Sequence, residues 1–315
     1  MLQQTTTAAV DAYYRRFLTR FPDVRTLAAA ERTEVQRFWE GLGYYRRAKQ
    51  LHEAAQVILQ QHNGVFPTRF QDVLALPGIG RYTAGAVLSI AFDQRLPILE
   101  ANTIRLHARL IGFSDNPMAG SGNRLLWKMA ESVLPKTEPG HFNQALMDFG
   151  SLVCVPKNPD CCVCPMSPLC EAAIQGTQSS IPNLSKVKNI EERTELALVV
   201  ENKGTFLFIR YPEGQRWGGL WDFPRLMVDS DSEIPHGPRM LREFRRLTGC
   251  TFRIQEPLMT LRHSVTRYKI TLRVFRAEII DRQNDSEYEV SWRNHEEIRL
   301  TPLNTTARKI ADSLP

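Results

Sequence analysis

The stretch CVPKNPDCCVCPMSPLC, residues 154–170, places four regularly spaced cysteines in one short loop. Cys154, Cys161, Cys164 and Cys170 follow the spacing C-x6-C-x2-C-x5-C. Four thiolates so close in sequence can hold one compact metal centre, and a 4Fe–4S cluster takes four cysteines. A structural zinc ion also takes four, although zinc ribbons usually carry two C-x2-C pairs. The spacing favours an iron–sulfur cluster over zinc, and it leaves disulfides or unbound thiols as a further alternative.

Length and charge limit the classes of protein that this chain can belong to. Its 315 residues suffice for two domains, each with its own core. The net charge of +6 permits attraction to nucleic acid but does not establish it. No apolar run reaches the roughly 18 residues of a membrane span, and the first residues do not resemble a secretory signal. We therefore expect a cytoplasmic protein without a membrane partner, and a reducing compartment argues against disulfides.

The first part of the chain is predicted to be helical. Apolar side chains recur there at helical spacing. The segments with this spacing are Ala8–Phe21, Val35–Trp39, Ala48–Gln60, Ala84–Phe92 and Leu125–Val133. We expect a mainly α domain over residues 1–176 that includes the cysteine loop.

A polar stretch over residues 177–192 is predicted to be a linker, and the hydrophobic pattern changes after it. Glu195–Val200, Phe206–Arg210 and Tyr268–Phe275 are short runs rich in β-branched and aromatic residues, which is typical of strands. Arg239–Leu247 is predicted to be a helix that ends at Gly249. We expect a second, α/β domain over residues 193–315.

The sequence Leu76-Pro77-Gly78-Ile79-Gly80 joins two predicted helices. Gly78 and Gly80 let the backbone turn tightly and approach a ligand closely. The first backbone N–H groups of the second helix could then bind a phosphate oxygen. By itself, this stretch is equally compatible with an ordinary turn between helices.

An acid, Glu100, follows the apolar run Leu96–Leu99 and precedes a predicted helix that begins near Thr103. An acid at such a place often only compensates the helix dipole, and considered alone Glu100 fits that role best.

Taken together and in this order, the hairpin, the acid and the cysteine loop resemble adenine DNA glycosylases of the MutY type. Two further stretches match the family: Gly41-Leu42-Gly43-Tyr44-Tyr45 and Phe142-Asn143-Gln144-Ala145-Leu146-Met147-Asp148. The resemblance covers nearly the whole chain. It implies a helix-hairpin-helix glycosylase domain with a 4Fe–4S cluster on the four cysteines. It also implies a monomer, associated with the nucleoid, that binds duplex DNA containing adenine opposite 8-oxoguanine.

The resemblance also implies roles for particular residues. Such enzymes flip the adenine out of the duplex, and Gln4 and Tyr44 fall where family members push side chains into the base stack. The chemistry needs a carboxylate that stabilises an oxocarbenium-like sugar, which Glu100 would supply, assisted by Tyr82 and Asn102. Related glycosylase/lyases carry a lysine in place of Tyr82 and form an imine. A tyrosine cannot do so, and we expect a monofunctional enzyme.

Two departures from the family affect the chemistry. The family places its catalytic acid, a glutamate, two residues before the methionine of M-L-Q-Q-T, and that methionine is Met1 here. A start assigned too late is our hypothesis for this difference. The family's sugar-stabilising aspartate is replaced by Glu100, whose extra methylene moves the carboxylate. The alternative function is a lesion-binding protein that cleaves adenine poorly or not at all.

The second domain resembles the Nudix-like domain of these glycosylases through Trp217–Pro224. Nudix hydrolases bind magnesium with a glutamate pair, which Arg246 and Leu247 replace here, so we expect recognition and not nucleotide hydrolysis. A His-x-Phe-Ser-His stretch reads the oxidised guanine in the family. His263, Thr266 and Arg267 stand in the corresponding stretch and are the candidate lesion-recognition residues.

Overall fold

The computed structural model describes residues 1–3, 5, 7–184, 190–228, 237–265, 267–283 and 285–315. The chain divides into two compact units. The first consists of Met1–Leu59 with Lys188–Pro315, and the second of Gln60–Val187. In the parts of the chain just given, no helix combines the length and apolar character needed to cross a membrane.

Among the described residues, four helices open the first unit. They are α1 (Thr7–Arg20), α2 (Val24–Ala29), α3 (Arg32–Trp39) and α4 (Arg46–Gln61). Trp39 is buried at the centre of their shared core, with the ring of Phe17 edge-on at 6.1 Å. The predicted helical segments at Ala8, Val35 and Ala48 are confirmed.

The second unit is helical as well. It contains α5 (Phe70–Leu74), α6 (Arg81–Phe92), α7 (Ala101–Leu110), α8 (Gly120–Val133), α9 (Pro139–Leu152), a 3-10 turn (Ser167–Leu169) and α10 (Glu171–Ile174). Helix α9 lies very close to α6 and α7, because glycines face both contacts. A Cβ added at Gly140 would lie 2.3 Å from the Ser89 carbonyl oxygen, and one at Gly150 would lie 2.7 Å from Asn102 Cβ. These contacts fix α6, α7 and α9 as one scaffold.

The described residues in the rest of the first unit form a mixed sheet and three helices. Its strands are β1 (Glu191–Asn202), β2 (Thr205–Arg210), β3 (Trp221–Asp222), β4 (Arg225–Val228), β5 (Cys250–Val265), β6 (Tyr268–Arg282) and β7 (Glu289–Arg293). Its helices are α11 (Pro238–Thr248), α12 (His295–Leu300) and α13 (Thr305–Ala311). The central strands run in the order β3-β2-β1-β6-β5, with β1 parallel to β6, while β4 pairs with β1 and β7 with β2.

Strand β1 is buried on both faces, which explains its continuous apolar run. Leu196 and Leu198 belong to one core together with Phe244 of α11. Ala197 and Val199 belong to another, together with Ile310 of α13. Helices therefore cover both sides of the sheet at its centre.

The predicted fold class, a mainly α domain followed by an α/β domain, is confirmed. The predicted boundaries at 176/177 and 192/193 stay a prediction. Within the segment predicted as a linker, Ile181 is buried against Ala108 and Ala172, and β1 already begins at Glu191.

Ion pairs join the N-terminal helices to the C-terminal part of the first unit. Glu40, at the end of α3, is buried and accepts a 2.6 Å hydrogen bond from Arg308 Nε of α13. Tyr45 and Thr305 lie at hydrogen-bonding distance, 3.3 Å between their hydroxyl oxygens. The first four helices and the sheet with its helices therefore share one folded body.

Candidate active site

Glu100 caps the N-terminus of α7. Its Oε1 accepts a 3.0 Å hydrogen bond from the Thr103 backbone N–H, and its own N–H donates to Thr103 Oγ1 at 2.8 Å. This reciprocal capping box satisfies donors that the helix start would leave unpaired. In the described part of the chain no hydrogen bond reaches the second oxygen, Oε2. The carboxylate is thus fixed in place with one oxygen available.

Tyr82 lies near this carboxylate, in the first turn of α6. Its hydroxyl donates to Met147 Sδ of α9 at 3.5 Å. Burial raises the pKa of Tyr82, and the negative charge of Glu100 adds to that rise. Tyr82 is therefore a neutral hydroxyl donor beside Glu100.

Asn102 is held by Arg105, one turn further along α7. Arg105 Nη2 donates to Asn102 Oδ1 at 2.9 Å and also to the Gly150 carbonyl. Its Nε donates to the Cys154 carbonyl at 2.7 Å. This buried guanidinium connects Asn102, the end of α9 and the start of the cysteine loop.

Arg109 continues the same connection one turn later. Its Nη1 lies 3.3 Å from Cys154 Sγ and 2.8 Å from the Val155 carbonyl, and its Nε donates to the Ile181 carbonyl at 2.9 Å. Helix α7 therefore carries Glu100 and Asn102 at one end and holds the cysteine loop at the other.

The four cysteines of the predicted spacing line a single pocket. Cys154, Cys161, Cys164 and Cys170 surround it together with apolar side chains that include Leu106 and Phe149. Burial raises the pKa of Cys161, and the neighbouring Cys164, Cys170 and Cys154 raise it further. Within the described ranges, no group of three or more His, Cys, Asp or Glu side chains is placed so that it could hold a metal ion. Thiols that converge on one partly apolar pocket fit a cluster with four cysteine ligands.

The hairpin leaves the N-terminus of α6 accessible. Gly78 adopts φ +77°, which favours glycine. Gly80 is the N-cap residue of α6 and, as a glycine, contributes no side-chain cap to that helix start. A Cβ added at Gly80 would meet nothing within 4 Å. This backbone can be approached closely by an anion.

Tyr44 is exposed, and it adopts φ +47°, which is unusual for a bulky residue. Arg47 lies over its ring, with 5.4 Å between the guanidinium carbon and the ring centroid. Arg47 also donates to the Met1 carbonyl at 2.7 Å, to the Gln3 carbonyl, and to Thr5 Oγ1 at 3.0 Å. Gln4 lies outside the described residues. One arginine therefore orders the segments on both sides of Gln4 and the turn that presents Tyr44.

The lesion-recognition candidates lie at the end of the β5–β6 hairpin. Arg267 pairs with Glu191 at 3.2 Å, and its guanidinium lies 5.0 Å from the centre of the Tyr268 ring. His263 Nε2 is 3.4 Å from Arg216 Nη2, and burial lowers the His263 pKa to about 4. Thr266 lies outside the described residues. Arg267 is an ion-paired cation and His263 is neutral near pH 7.

Arg246, where hydrolases carry a metal ligand, is paired with two acids. It donates to Glu243 at 3.0 Å and to Glu287.

Two family models match this chain. The model of the HhH-GPD superfamily of base excision DNA repair proteins matches residues 1–132, and the NUDIX domain model matches residues 196–313. An adenine DNA glycosylase of Buchnera aphidicola from Acyrthosiphon pisum is 34% identical over 234 residues, which are 74% of this chain and 67% of the relative. The chain belongs to the adenine DNA glycosylase family. Mouse adenine DNA glycosylase is 30% identical over 87% of the chain and 62% of its own length.

The chain spans about two thirds of the length of the adenine DNA glycosylases it matches. A solved thermostable thymine-DNA glycosylase is similar to it with a TM-score of 0.50 and 30% identity, over 55% of this chain and 80% of that one. A trapped complex of endonuclease III with DNA reaches a TM-score of 0.50 at 23% identity and shares the fold.

Sequence reasoning missed three arginines, Arg47 beside Tyr44 in the first unit and Arg105 and Arg109 on α7 in the second. Arg47, Arg105 and Arg109 bind mainly backbone carbonyls, and most of those carbonyls lie more than 40 residues away in sequence. No local pattern marks an arginine with such partners. For Arg105 and Arg109, the sequence offered one indication of a structural role. Both lie on the helix that follows the candidate acid, at positions that helical spacing would bury.

Proposed function

We propose that this chain is a monofunctional adenine DNA glycosylase that hydrolyses the N-glycosidic bond of adenine opposite 8-oxoguanine in duplex DNA. One observation carries the proposal. Glu100 is fixed at the start of α7 with an available oxygen, beside the neutral hydroxyl of Tyr82. Family membership supports the substrate class.

Glu100 would stabilise the sugar as the bond to adenine breaks. Positive charge develops on the sugar ring in an oxocarbenium-like transition state, and a nearby carboxylate favours it. The capping box would hold Glu100 so that Oε2 faces the sugar without reorganisation. A charge that is fixed in advance stabilises the transition state more than the charge of a mobile side chain does. The hydrogen bond from the Thr103 N–H would hold this longer side chain in one position.

Tyr82 and Asn102 would position the nucleotide. A tyrosine with a raised pKa donates a hydrogen bond but does not form the imine that a lysine would, so no strand cleavage by a lyase step is expected. The proton that adenine needs as it leaves must come from another group. Glu100 acts as a carboxylate in this account, Asn102 does not titrate and Tyr82 holds its proton tightly.

The DNA would be held by the hairpin and opened by Tyr44. The start of α6, with glycine as its N-cap residue, would offer backbone donors to a phosphate on the strand that carries the adenine. Tyr44, exposed and fixed by Arg47, could enter the base stack and offset part of the cost of flipping the adenine, with Gln4 assisting.

The four cysteines would hold a 4Fe–4S cluster. When bound, such a cluster would cross-link the loop from Cys154 to Cys170. Through Arg105 and Arg109, this loop is bonded to the helix that carries Glu100. The cluster's role in this proposal is to brace that helix.

His263, Thr266 and Arg267 would contact the oxidised guanine or the phosphates beside it. A permanent cation such as Arg267 can donate to a guanine edge, and a neutral His263 can accept or donate one hydrogen bond.

The proposed function is tested by base release from three duplexes that differ at one pair: adenine opposite 8-oxoguanine, adenine opposite guanine, and adenine opposite thymine. We expect an abasic site at the adenine of the first duplex, slower release from the second and none from the third. Strands should break only after alkali treatment, and borohydride should trap no covalent complex. Equal release from all three, or none from any, would refute the proposal.

A further inference from the structure

Arg81, the first residue of α6, is a cation beside the hairpin. It directly follows the N-cap residue Gly80, and its side chain is exposed. Among the described residues, it forms no ion pair and no hydrogen bond, and its contact is with an aromatic ring. No acid in that part of the chain balances its charge.

The guanidinium of Arg81 is nevertheless held in one place by Trp127 of α8. Its carbon lies 3.8 Å from the centre of the indole ring. This distance is within the optimal range for non-bonded contact, so the guanidinium rests on the face of the ring. Trp127 is itself fixed, because it is only 9% exposed and packs in one core with Leu99 and Ile104. The cation and its platform both belong to the second unit.

This platform adjoins the candidate active site. Leu99 and Ile104 lie on either side of Glu100 in sequence, and Tyr82 follows Arg81 in α6. The indole that fixes Arg81 therefore packs against the segment that carries the candidate carboxylate. The guanidinium is thus fixed close to the starts of α6 and α7, where the strand that carries the adenine would approach.

Stacking on the indole leaves the hydrogen-bonding capacity of Arg81 unused. The guanidinium contacts the ring through its face, whereas its N–H donors lie in its plane. A long side chain loses rotational freedom when it binds an anion, and an arginine already held on a ring loses less. A fixed cation with available donors suits an anion with several acceptor oxygens, and a DNA phosphate is such an anion.

We propose that Arg81 binds a phosphate of the DNA duplex, next to the phosphate proposed at the start of α6, and that Trp127 is its positioning residue. This inference rests on the proposed binding of DNA by the hairpin. It adds a side chain to a contact that otherwise consists of backbone N–H groups. Because phosphates carry no sequence information, Arg81 contributes equally to the binding of every duplex. Trp127 acts by holding the guanidinium.

Fluorescence anisotropy with a labelled duplex at a series of salt concentrations tests the phosphate contact. Arg81→Gln should weaken binding about tenfold and make the slope of log affinity against log salt shallower by about 0.9, the value for one phosphate contact. The factor should be the same for adenine opposite 8-oxoguanine and for adenine opposite thymine. An unchanged slope, or a loss of affinity confined to the 8-oxoguanine duplex, would overturn the proposal.

Lys136→Gln is the matched control, because it removes one positive charge from another exposed position of the same unit. Lys136 lies just before α9, and a Cβ added at Gly140 of that helix would lie 2.3 Å from the Ser89 carbonyl oxygen in the last turn of α6. This is the opposite end of α6 from Arg81. The control should keep the parental affinity and salt slope. An equal change of slope in both variants would reflect overall charge and would contradict a contact at Arg81.

A double-mutant cycle tests the role of Trp127. Trp127→Leu should weaken duplex binding about threefold or more, because the guanidinium loses its platform, and Trp127→Phe, which keeps an aromatic face, should lose less. In the Arg81→Gln background, Trp127→Leu should have no further effect, since no guanidinium is left to position. A loss of the same size in both backgrounds would indicate a purely structural side chain and would overturn the positioning role.

The phosphate contact and the glycosylase proposal can fail separately. With saturating protein, single-turnover adenine release by Arg81→Gln should match the parent, because a phosphate contact binds the ground state and the transition state alike. A tenfold slower release at saturation would contradict a role in binding alone. If the parent released no adenine, the glycosylase proposal would be wrong, while the salt slopes would still decide the phosphate contact.

Discussion

At the scale of single residues, Glu100 combines two roles that the sequence presents as alternatives. Its position alone suggests an acid that compensates a helix dipole, while the family resemblance suggests a catalytic carboxylate. The structure shows the first role in the capping box with Thr103. Because the cap uses only Oε1, the other oxygen, Oε2, is available for the proposed catalytic role. The cap and the proposed chemistry are thus compatible in one side chain.

Gly80 offers a test of the hairpin as a phosphate site. Gly80→Ala meets no neighbour and needs no unusual φ, so the free energy of unfolding should change by no more than about 1 kcal/mol. Affinity for duplex DNA should fall by about tenfold, because a methyl group would obstruct the approach of a phosphate. Fluorescence anisotropy with a labelled duplex measures this. Gly120→Ala, at the exposed start of α8, is the control and should leave affinity unchanged. Unaltered affinity in Gly80→Ala would contradict the phosphate site.

The residues of the candidate site were predictable from sequence to different degrees. Tyr82, Glu100 and Asn102 were assigned from the resemblance to the family, and their roles stay a prediction. Arg47 could not be found in this way. It acts through hydrogen bonds to the carbonyls of Met1 and Gln3, which come near it only in the folded chain.

At the scale of elements, α7 joins the candidate site to the cysteine loop. Arg105→Met would remove hydrogen bonds to Asn102 and to the Cys154 carbonyl together. We expect adenine release and the iron content per chain to fall in the same variant, measured by single-turnover assay and metal analysis. Arg124→Ala on the exposed side of α8 is the control. If Arg105→Met kept both properties at parental levels, the bracing role of α7 would be wrong.

His107, on α7, should make the free energy of unfolding depend on pH. It is 1% exposed, its ring nitrogens have no partner among the described residues, and burial lowers its pKa to about 4. Between pH 6.5 and about 4 the unfolded chain therefore binds a proton that the folded chain does not. Stability should be full above about pH 6.5 and fall by up to about 3 kcal/mol as the pH drops to about 4.

Urea unfolding at a series of pH values measures this loss. His107→Leu should flatten the profile in that range, while His141→Gln, on an exposed histidine, should keep the parental slope. A parental slope in His107→Leu would show that other groups cause the loss.

Strand prediction succeeded where side chains alternate between two buried cores, as along β1. Strand β5 was not anticipated as a continuous element, because Pro257 lies within it at a shift of register. A proline in a strand pattern argues against the strand unless a bulge accommodates it, and only the pairing with β6 shows that it does.

At the scale of the whole molecule, the N-terminal helices and the Nudix-like domain form one compact unit although 128 residues separate them in sequence. Such an arrangement could not be predicted from the sequence, because each half shows a complete pattern of its own. Glu40 and Arg308, 268 positions apart, form one of the ion pairs that join them.

Because the Glu40–Arg308 ion pair joins these two parts of the chain, we expect them to unfold together. Glu40→Gln leaves Arg308 without its carboxylate, and breaking a buried pair in this way costs about 3–5 kcal/mol. Because Arg308 is partly exposed, we expect the lower end of that range, in one transition that includes the helices and the sheet. Far-UV circular dichroism and Trp fluorescence during urea unfolding measure the loss of unfolding free energy and show whether there is one transition. Arg15→Ala breaks an exposed pair with Asp11 and should cost no more than about 1 kcal/mol. Equal effects of the two changes would contradict the buried joint.

In the proposed reaction, the charge of Glu100 drives adenine release. Single-turnover release from an adenine:8-oxoguanine duplex, with the protein in excess, tests it in the parent, Glu100→Gln and Glu100→Asp. Glutamine can keep the cap to Thr103 but loses the charge, so release should slow by about 100-fold or more with little change in stability. Aspartate is a better N-cap residue and keeps the charge, so Glu100→Asp should release adenine at least as fast as the parent. Release by Glu100→Gln at the parental rate would contradict the account.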